Sequence, residues 1–159
     1  MNTVVHNERF EISKHMLWRE ISTEQGLENY HPFCVSNVAL KWPGSDALDE
    51  LTYLNGKTFR RKIINWNEGT GYDLVISYKS LETEVNWWVS GNADSSSLTI
   101  RLIPKFLHKN VFIRFLVFNF YVKPKLKLYL RHVFLGLHHF IDKKTKVRYN
   151  QFGAHPWFS

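Results

Sequence analysis

Three successive stretches of this chain alternate apolar and polar residues with period two. Tyr72, Leu74, Ile76 and Tyr78 share one side, as do Val85, Trp87 and Val89, and then Leu98, Ile100 and Leu102. Asp73, Ser77, Lys79, Glu84, Asn86 and Arg101 take the other side. Successive strand side chains point to opposite faces, so the pattern predicts an antiparallel sheet with one apolar face, and that face has to be covered. The long helical pattern left to do so is Leu126, Leu130, Val133, Leu137 and Ile141, at three- and four-residue steps, which predicts a C-terminal helix laid across the sheet. A chain of 159 residues has room for one such domain, taken as residues 1–159.

The remaining elements follow from local signals. Val4 to Ile12 has strand composition, and Ser13 is placed to cap a short helix with Leu17, Trp18 and Ile21 on one face. Ser22 and Gln25 stand in the Ser-x-x-Gln spacing of a capping box, predicting a second helix that carries Leu27 and Tyr30 and ends before Pro32. From about Val35 to Phe106 the chain reads as a meander of strands, broken at Pro43-Gly44, Asn55-Gly56, Gly69-Thr70-Gly71 and Gly91 to Ser97. Asn55-Gly56 predicts a type I′ hairpin. Val111, Phe115, Phe118 and Val122 also follow helical spacing, so two arrangements fit the C-terminal third. One is a kinked helix from about Val111 to Lys143; the other is a loop followed by a helix starting near Pro124, which would place Lys123, Lys125 and Lys127 at the positive end of a helix dipole.

In this order of elements, the residues Ile12-Ser13 leading into Leu17-Trp18-Arg19-Glu20-Ile21-Ser22, Gly56 with Arg60-Arg61-Lys62-Ile63 and Trp66, and Tyr129-Leu130, Val133 and Gly136-Leu137 carry a resemblance. The chain resembles the START-like (SRPBCC) superfamily, which includes polyketide cyclase/dehydrase and lipid-transfer proteins, over nearly its whole length. The resemblance implies an α+β helix-grip fold: a curved antiparallel sheet of about six to seven strands, with two short helices and a long C-terminal helix enclosing a cavity. It implies binding or transport of a small hydrophobic ligand such as a lipid, quinone or polyketide-like molecule; the alternative is a cyclase/dehydratase-type enzyme acting on a hydrophobic carbonyl compound. The inward strand faces and the last helix then supply the expected ligand-binding residues Tyr53, Tyr72, Leu74, Ile76, Tyr78, Trp87, Val89, Ile100, Leu102, Leu130, Phe134 and Leu137. Buried tyrosine and tryptophan need polar partners, which a cavity provides more readily than a dry core. The ending, residues 150–159, takes no role from the resemblance.

No catalytic residue is named, because no acid/base pair can be picked out, and the non-enzymatic reading is favoured. Cys34, the single cysteine, follows His31-Pro32-Phe33 but reads as a small buried hydrophobe. His132 and His139 lie seven residues apart, too far along a helix to hold one ion unaided; His138 is expected at the cavity rim beside Leu137 and Ile141, and neither a metal nor a cofactor is expected. Gly69-Thr70-Gly71 lacks the lysine and helix of a phosphate loop and reads as a turn. In Arg60-Arg61-Lys62, the adopted register turns Lys62, Ile64 and Trp66 inward and leaves Arg61 in solvent; the other would bury Arg61 with Phe59 and Ile63 and require a carboxylate or ligand headgroup beside it.

Charge is uneven along the chain. Residues 1–100 hold 9 Lys+Arg against 13 Asp+Glu, a net of −4, whereas residues 101–159 hold 12 against 1, a net of +11. Within 105–131, Phe106, Phe112, Phe115, Phe118, Phe120 and Tyr121 interleave with Lys105, Lys109, Arg114, Lys123, Lys125, Lys127 and Arg131. Either the aromatics pack inward and the cations stay in water, or the segment meets an anionic membrane through Lys123, Lys125, Lys127 and Arg131. No nucleic-acid signature accompanies the mixture. The first residues show no basic region followed by an apolar stretch, and Val111 to Val122 is too short to span a bilayer, so a cytoplasmic location with peripheral membrane contact is the expectation.

Overall fold

A computed structural model describes residues 2–105 and 109–159; Phe106 of the aromatic series falls outside the described residues. The elements run β1 (Val4–Phe10), α1 (Lys14–Ser22), α2 (Leu27–Tyr30), β2 (Cys34–Lys41), β3 (Leu48–Tyr53), β4 (Thr58–Asn67), β5 (Gly71–Tyr78), β6 (Leu81–Gly91), β7 (Ser96–Lys105), α3 (Val111–Val117), a π-helical turn (Phe118–Val122) and α4 (Lys123–Lys143). The seven strands form one antiparallel sheet in the order β1-β7-β6-β5-β4-β3-β2, with α1 and α2 in the connection between its edge strands.

Register builds the inner face in rows. Ile63, Leu74, Val85, Leu102 and Val4 stand opposite one another across five strands, and all are buried. The next row holds Trp66, Tyr72, Trp87, Ile100 and His6. Trp87 is 7% exposed and its neighbour Trp88 53%, the alternation expected of this strand. Against these rows α4 buries Leu126, Leu130, Val133, Leu137 and Ile141, the stripe read from the sequence. Gly136 permits that approach: a Cβ there would lie 1.9 Å from the Tyr30 carbonyl oxygen, so only hydrogen lets α2 and α4 meet.

Four local expectations are corrected. First, Phe59, Arg61 and Ile63 face inward and Lys62 and Ile64 outward. A register shift between Ile63 and Asn65 is the reason, since this bulge lets Ile63 and Trp66 occupy the same face. Strict alternation back from an inward Trp66 therefore gives the wrong parity. Second, at the β3–β4 turn only Gly56 has positive φ (82°), and its N–H reaches the Tyr53 carbonyl at 2.9 Å. Asn55 has negative φ, so this is a type I turn closed by a glycine bulge rather than type I′. Third, Ser22 ends α1; α2 starts after Gly26 without a side-chain cap, whereas Ser13 does cap α1 through Met16 N–H. Fourth, His138 lies at no cavity rim but reaches β1, stacking on the buried Phe10 at 4.1 Å and meeting Glu8 Oε2 at 2.6 Å.

Of the two arrangements for the C-terminal third, the continuous helix from Val111 to Lys143 is observed, with a π-helical turn at Phe118–Val122 where a loop was the alternative. Lys123 N–H reaches back five residues to the Phe118 carbonyl, and Pro124, which has no N–H, follows this wide turn. Lys123, Lys125 and Lys127 therefore do not sit at a free helix start.

Candidate functional site: an inner polar cluster and a groove at its mouth

The space inside the grip is small. A void of about 20 Å³ is lined by Ile76, Val85, Trp87, Ile100, Leu102 and Leu51 from the sheet, by Leu27, Tyr129, Leu130 and Val133 from helices, and by His31 and Arg61. About one water-sized probe occupies such a volume. Of the expected ligand-binding residues, Ile76, Trp87, Ile100, Leu102 and Leu130 line this void and Tyr78 lines the groove described below, while Tyr53, Tyr72, Leu74, Val89, Phe134 and Leu137 line neither.

The polar groups around the void are paired with one another. Arg61 and Asp49 are cross-strand neighbours on β4 and β3, and Arg61 Nη1 donates to Asp49 Oδ2 at 2.9 Å with both side chains 4% exposed. Burial opposes the guanidinium charge, but Asp49 and the nearby tyrosines outweigh it and hold Arg61 protonated above its ordinary range. Asp49 Oδ1 is buried with no hydrogen-bond partner among the described residues. The Tyr72 hydroxyl donates to the Ile21 carbonyl at 3.1 Å.

His31, Tyr129 and Tyr53 form a second cluster. Phe33 N–H donates to His31 Nδ1 at 3.2 Å, which assigns the ring proton to Nε2, and Nε2 then donates to the Tyr129 hydroxyl at 2.8 Å. Tyr53 and Tyr129 hydroxyls share a hydrogen bond of 3.1 Å. Desolvation, aided by Arg61, lowers the His31 pKa to about 3. Burial pushes the Tyr129 hydroxyl up to about 12 and that of Tyr53 well above its ordinary value. Near neutral pH His31 is thus an uncharged donor whose only lone pair is engaged, and the two hydroxyls keep their protons: this cluster orients a polar group and does not take up a proton. Cys34 is buried, and desolvation raises its thiol to about 12, so its place is that of a small core residue.

One pleat nearer the strand ends lies a separate groove of about 600 Å³. Thr83 and Pro104 form its floor, a cross-strand pair directly beyond Val85–Leu102, with Tyr78, Leu81 and Phe59 beside them. Val122 and Leu126 supply one wall, and Pro156, Trp157, Phe158 and Ser159 another, with Lys57, Lys105, Glu82 and Asn55 at the rim. An aromatic layer lies between groove and inner cluster: Phe158 stacks on Tyr53 at 4.3 Å and leans on Tyr129 at 5.0 Å, and Phe59 stacks on Tyr78 at 4.7 Å.

That layer depends on the chain ending, to which sequence reasoning assigned nothing. Buried His155 is held between the Lys125 carbonyl (2.9 Å) and Trp157 N–H (3.1 Å), and Asn55 Nδ2 donates to the Trp157 carbonyl. The run His155-Pro156-Trp157-Phe158 was the available signal, three aromatic rings beside a proline at the end of a polar stretch. Of the four cations assigned to membrane contact, Lys127 and Arg131 are exposed and Lys123 and Lys125 half-buried. Among the described residues no three His, Cys, Asp or Glu side chains converge as metal ligands, and no helix is long and apolar enough to cross a membrane.

No protein-family model matches the chain, and no curated protein matches it. Solved structures do. DynU16, a protein of the dynemicin biosynthetic locus, is similar at 12% identity and a TM-score of 0.73, over 94% of this chain and 50% of that one. A START superfamily protein from Mycobacterium smegmatis is similar at 13% identity and 0.66, over 90% and 99%. The di-domain ARO/CYC BexL of the BE-7585A biosynthetic pathway is similar at 10% identity and 0.68, over 89% and 47%. This chain thus spans about half the length of DynU16 and of BexL. Seven antiparallel strands wrapped against a long C-terminal helix, matching these structures over 89% to 94% of this chain, give it the helix-grip fold of START-like proteins.

Proposed function

We propose that the protein binds and carries a small hydrophobic molecule in the groove at the mouth of the grip. The observation that carries the reading is the groove itself: about 600 Å³, walled mainly by Phe59, Tyr78, Val122, Leu126, Trp157 and Phe158, with its charged groups at the rim. That is the size and lining of a small-molecule site. The likeness to a START superfamily protein agrees with this chemistry. The inner void lined by Ile76, Trp87, Ile100, Leu102 and Leu130 lies beyond the aromatic layer of Phe158, Tyr53 and Tyr129, and a longer ligand reaches it only by displacing that layer. Exchange of the ligand with an anionic membrane, met by Lys123, Lys125, Lys127 and Arg131, belongs to the same reading.

The test is solvent extraction of purified protein with mass spectrometry, together with titration of a fluorescent fatty-acid probe into wild type and Leu126→Glu. A copurifying hydrophobic molecule and probe binding weakened at least tenfold by Leu126→Glu are expected; probe binding that ignores the substitution overturns the reading. A cyclase-type reaction is the second reading, favoured by the likeness to the ARO/CYC protein and by the hydroxyl of Tyr129, which His31 orients beside the void. Turnover of a polyketide-like substrate that Tyr129→Phe abolishes while probe binding persists would establish it.

A further inference from the structure

We propose that the helical segment from Val111 to Tyr121 docks the protein on anionic phospholipid membranes, its apolar side chains entering the acyl boundary while the surrounding cations meet the headgroups. The proposal deepens the membrane part of the reading above by naming the inserting element, and it does not depend on which ligand fills the groove. A helix as apolar as α3, where Arg114 is the one polar residue of seven, is stable only when something covers it. Here α3 has no buried residue, and Phe120, Phe112 and Val111 are 77%, 69% and 67% exposed, with Phe115, Leu116 and Tyr121 exposed around them. The expectation that these aromatics pack inward holds for Phe118 alone among the described residues of that series.

Charge identifies the cover. From Arg101 to Ile141 the chain carries eight Lys+Arg and no Asp or Glu. A second copy applying the same face would bring like charges together with no acid between them, whereas an anionic bilayer offers acyl chains for the phenylalanines and phosphates for Lys109, Lys123, Lys127 and Arg131. The eleven residues from Val111 to Tyr121 extend only about 16 Å, so the segment lies in the interface and does not span it. Its position gives the contact a use. The π-helical turn carries the helix straight into Val122 and Leu126 of the groove wall, and the Tyr121 ring lies 5.9 Å from Trp157 on the opposite wall. Docking by α3 therefore sets the groove mouth against the lipid surface.

The experiment is flotation of the full chain with phosphatidylcholine vesicles, with and without phosphatidylserine, for wild type, Phe112→Ser/Phe120→Ser, and Lys123→Gln/Lys127→Gln/Arg131→Gln. Wild type is expected to bind the phosphatidylserine vesicles at least about tenfold more tightly than neutral ones. Each variant is expected to lose about tenfold of that binding, the cation variant with a shallower salt dependence. A Phe120→Cys protein labelled with an environment-sensitive dye, Cys34 being buried, is expected to shift its emission to the blue on anionic vesicles. Equal binding to both vesicles, full binding by the serine variant, or an unshifted dye overturns the proposal. So does a concentration-dependent dimer that the serine variant dissolves, since the cover is then a second copy. Probe titration without vesicles runs alongside: losing it with flotation intact removes the ligand reading and leaves the docking, and the reverse result does the opposite.

Discussion

Replacing Arg61 by methionine is expected to be the most damaging single substitution of a charged residue in this protein. Arg61 and Asp49 are each 4% exposed, and their N–O distance is 2.9 Å. At an effective dielectric constant of about 20, charges that close attract by about 6 kcal/mol, part of which offsets the desolvation of both groups. Methionine fills much of the arginine volume but leaves the Asp49 carboxylate buried with neither oxygen paired, and breaking one side of such a pair costs about 3–5 kcal/mol. Out of the roughly 5–15 kcal/mol that holds a domain together this is a large loss. With a urea m-value of about 2 kcal/mol/M, a 4 kcal/mol loss lowers the unfolding midpoint by about 2 M. Arg61→Met/Asp49→Leu removes both charges and is expected to recover most of the loss, so a double-mutant cycle followed by circular dichroism isolates the pair. A single variant within 1 kcal/mol of wild type would mean that Arg61 is solvated and the β4 register inverted. A double variant as unstable as the single would assign the loss to packing and not to charge.

Three further outcomes are expected. Because the folded-state pKa of His31 is lowered to about 3, the unfolded chain takes up that proton first; its contribution to stability is complete above about pH 6.5 and is lost at up to about 1.4 kcal/mol per pH unit between there and about pH 3, a slope that His31→Gln should flatten and that an unchanged slope would refute. Gly136→Ala forces a methyl group to within 1.9 Å of the Tyr30 carbonyl, so it should destabilise by about 1–3 kcal/mol in thermal unfolding despite the higher helix propensity of alanine; a rise in Tm would refute the close approach. Phe158→Ala removes the ring stacked on Tyr53 and should cost about 1–3 kcal/mol while speeding fatty-acid probe uptake; slower uptake in stopped-flow fluorescence would show that Phe158 helps hold the ligand rather than separating groove from void.

Residues whose signal repeats along the chain were legible without a structure. Tyr72 to Leu102 alternates over three strands, and Leu126 to Ile141 keeps helical spacing over four turns, so each residue is corroborated by its neighbours and a single exception changes nothing. The inward Trp87 beside an outward Trp88 follows from the same redundancy, whereas the capped start of α1 at Ser13 follows from the N-cap preference of one residue. The cations around Lys123 to Arg131 were visible as an uneven charge distribution, but which faces of α3 lie bare was not, because helical spacing marks an apolar face without saying whether anything packs on it.

Sequence by itself determined the class of fold: an antiparallel sheet with one apolar face needs a cover, and this chain supplies one long amphipathic helix to be that cover. Tertiary structure alone decided what the resulting interior holds. One bulge residue in β4 turned Arg61 from water to core, where Asp49, 12 positions earlier, is the partner that makes its burial tolerable. His155 to Phe158 came to close the mouth by contacts with Tyr53, Phe33 and Tyr129, far away in sequence. The volume left over, about 20 Å³ inside and about 600 Å³ at the mouth, is a small difference between large packed volumes. Periodicity reports which side of an element is apolar, a local property; parity after a bulge, the partner of a buried charge and the space between packed rings depend on where distant segments meet.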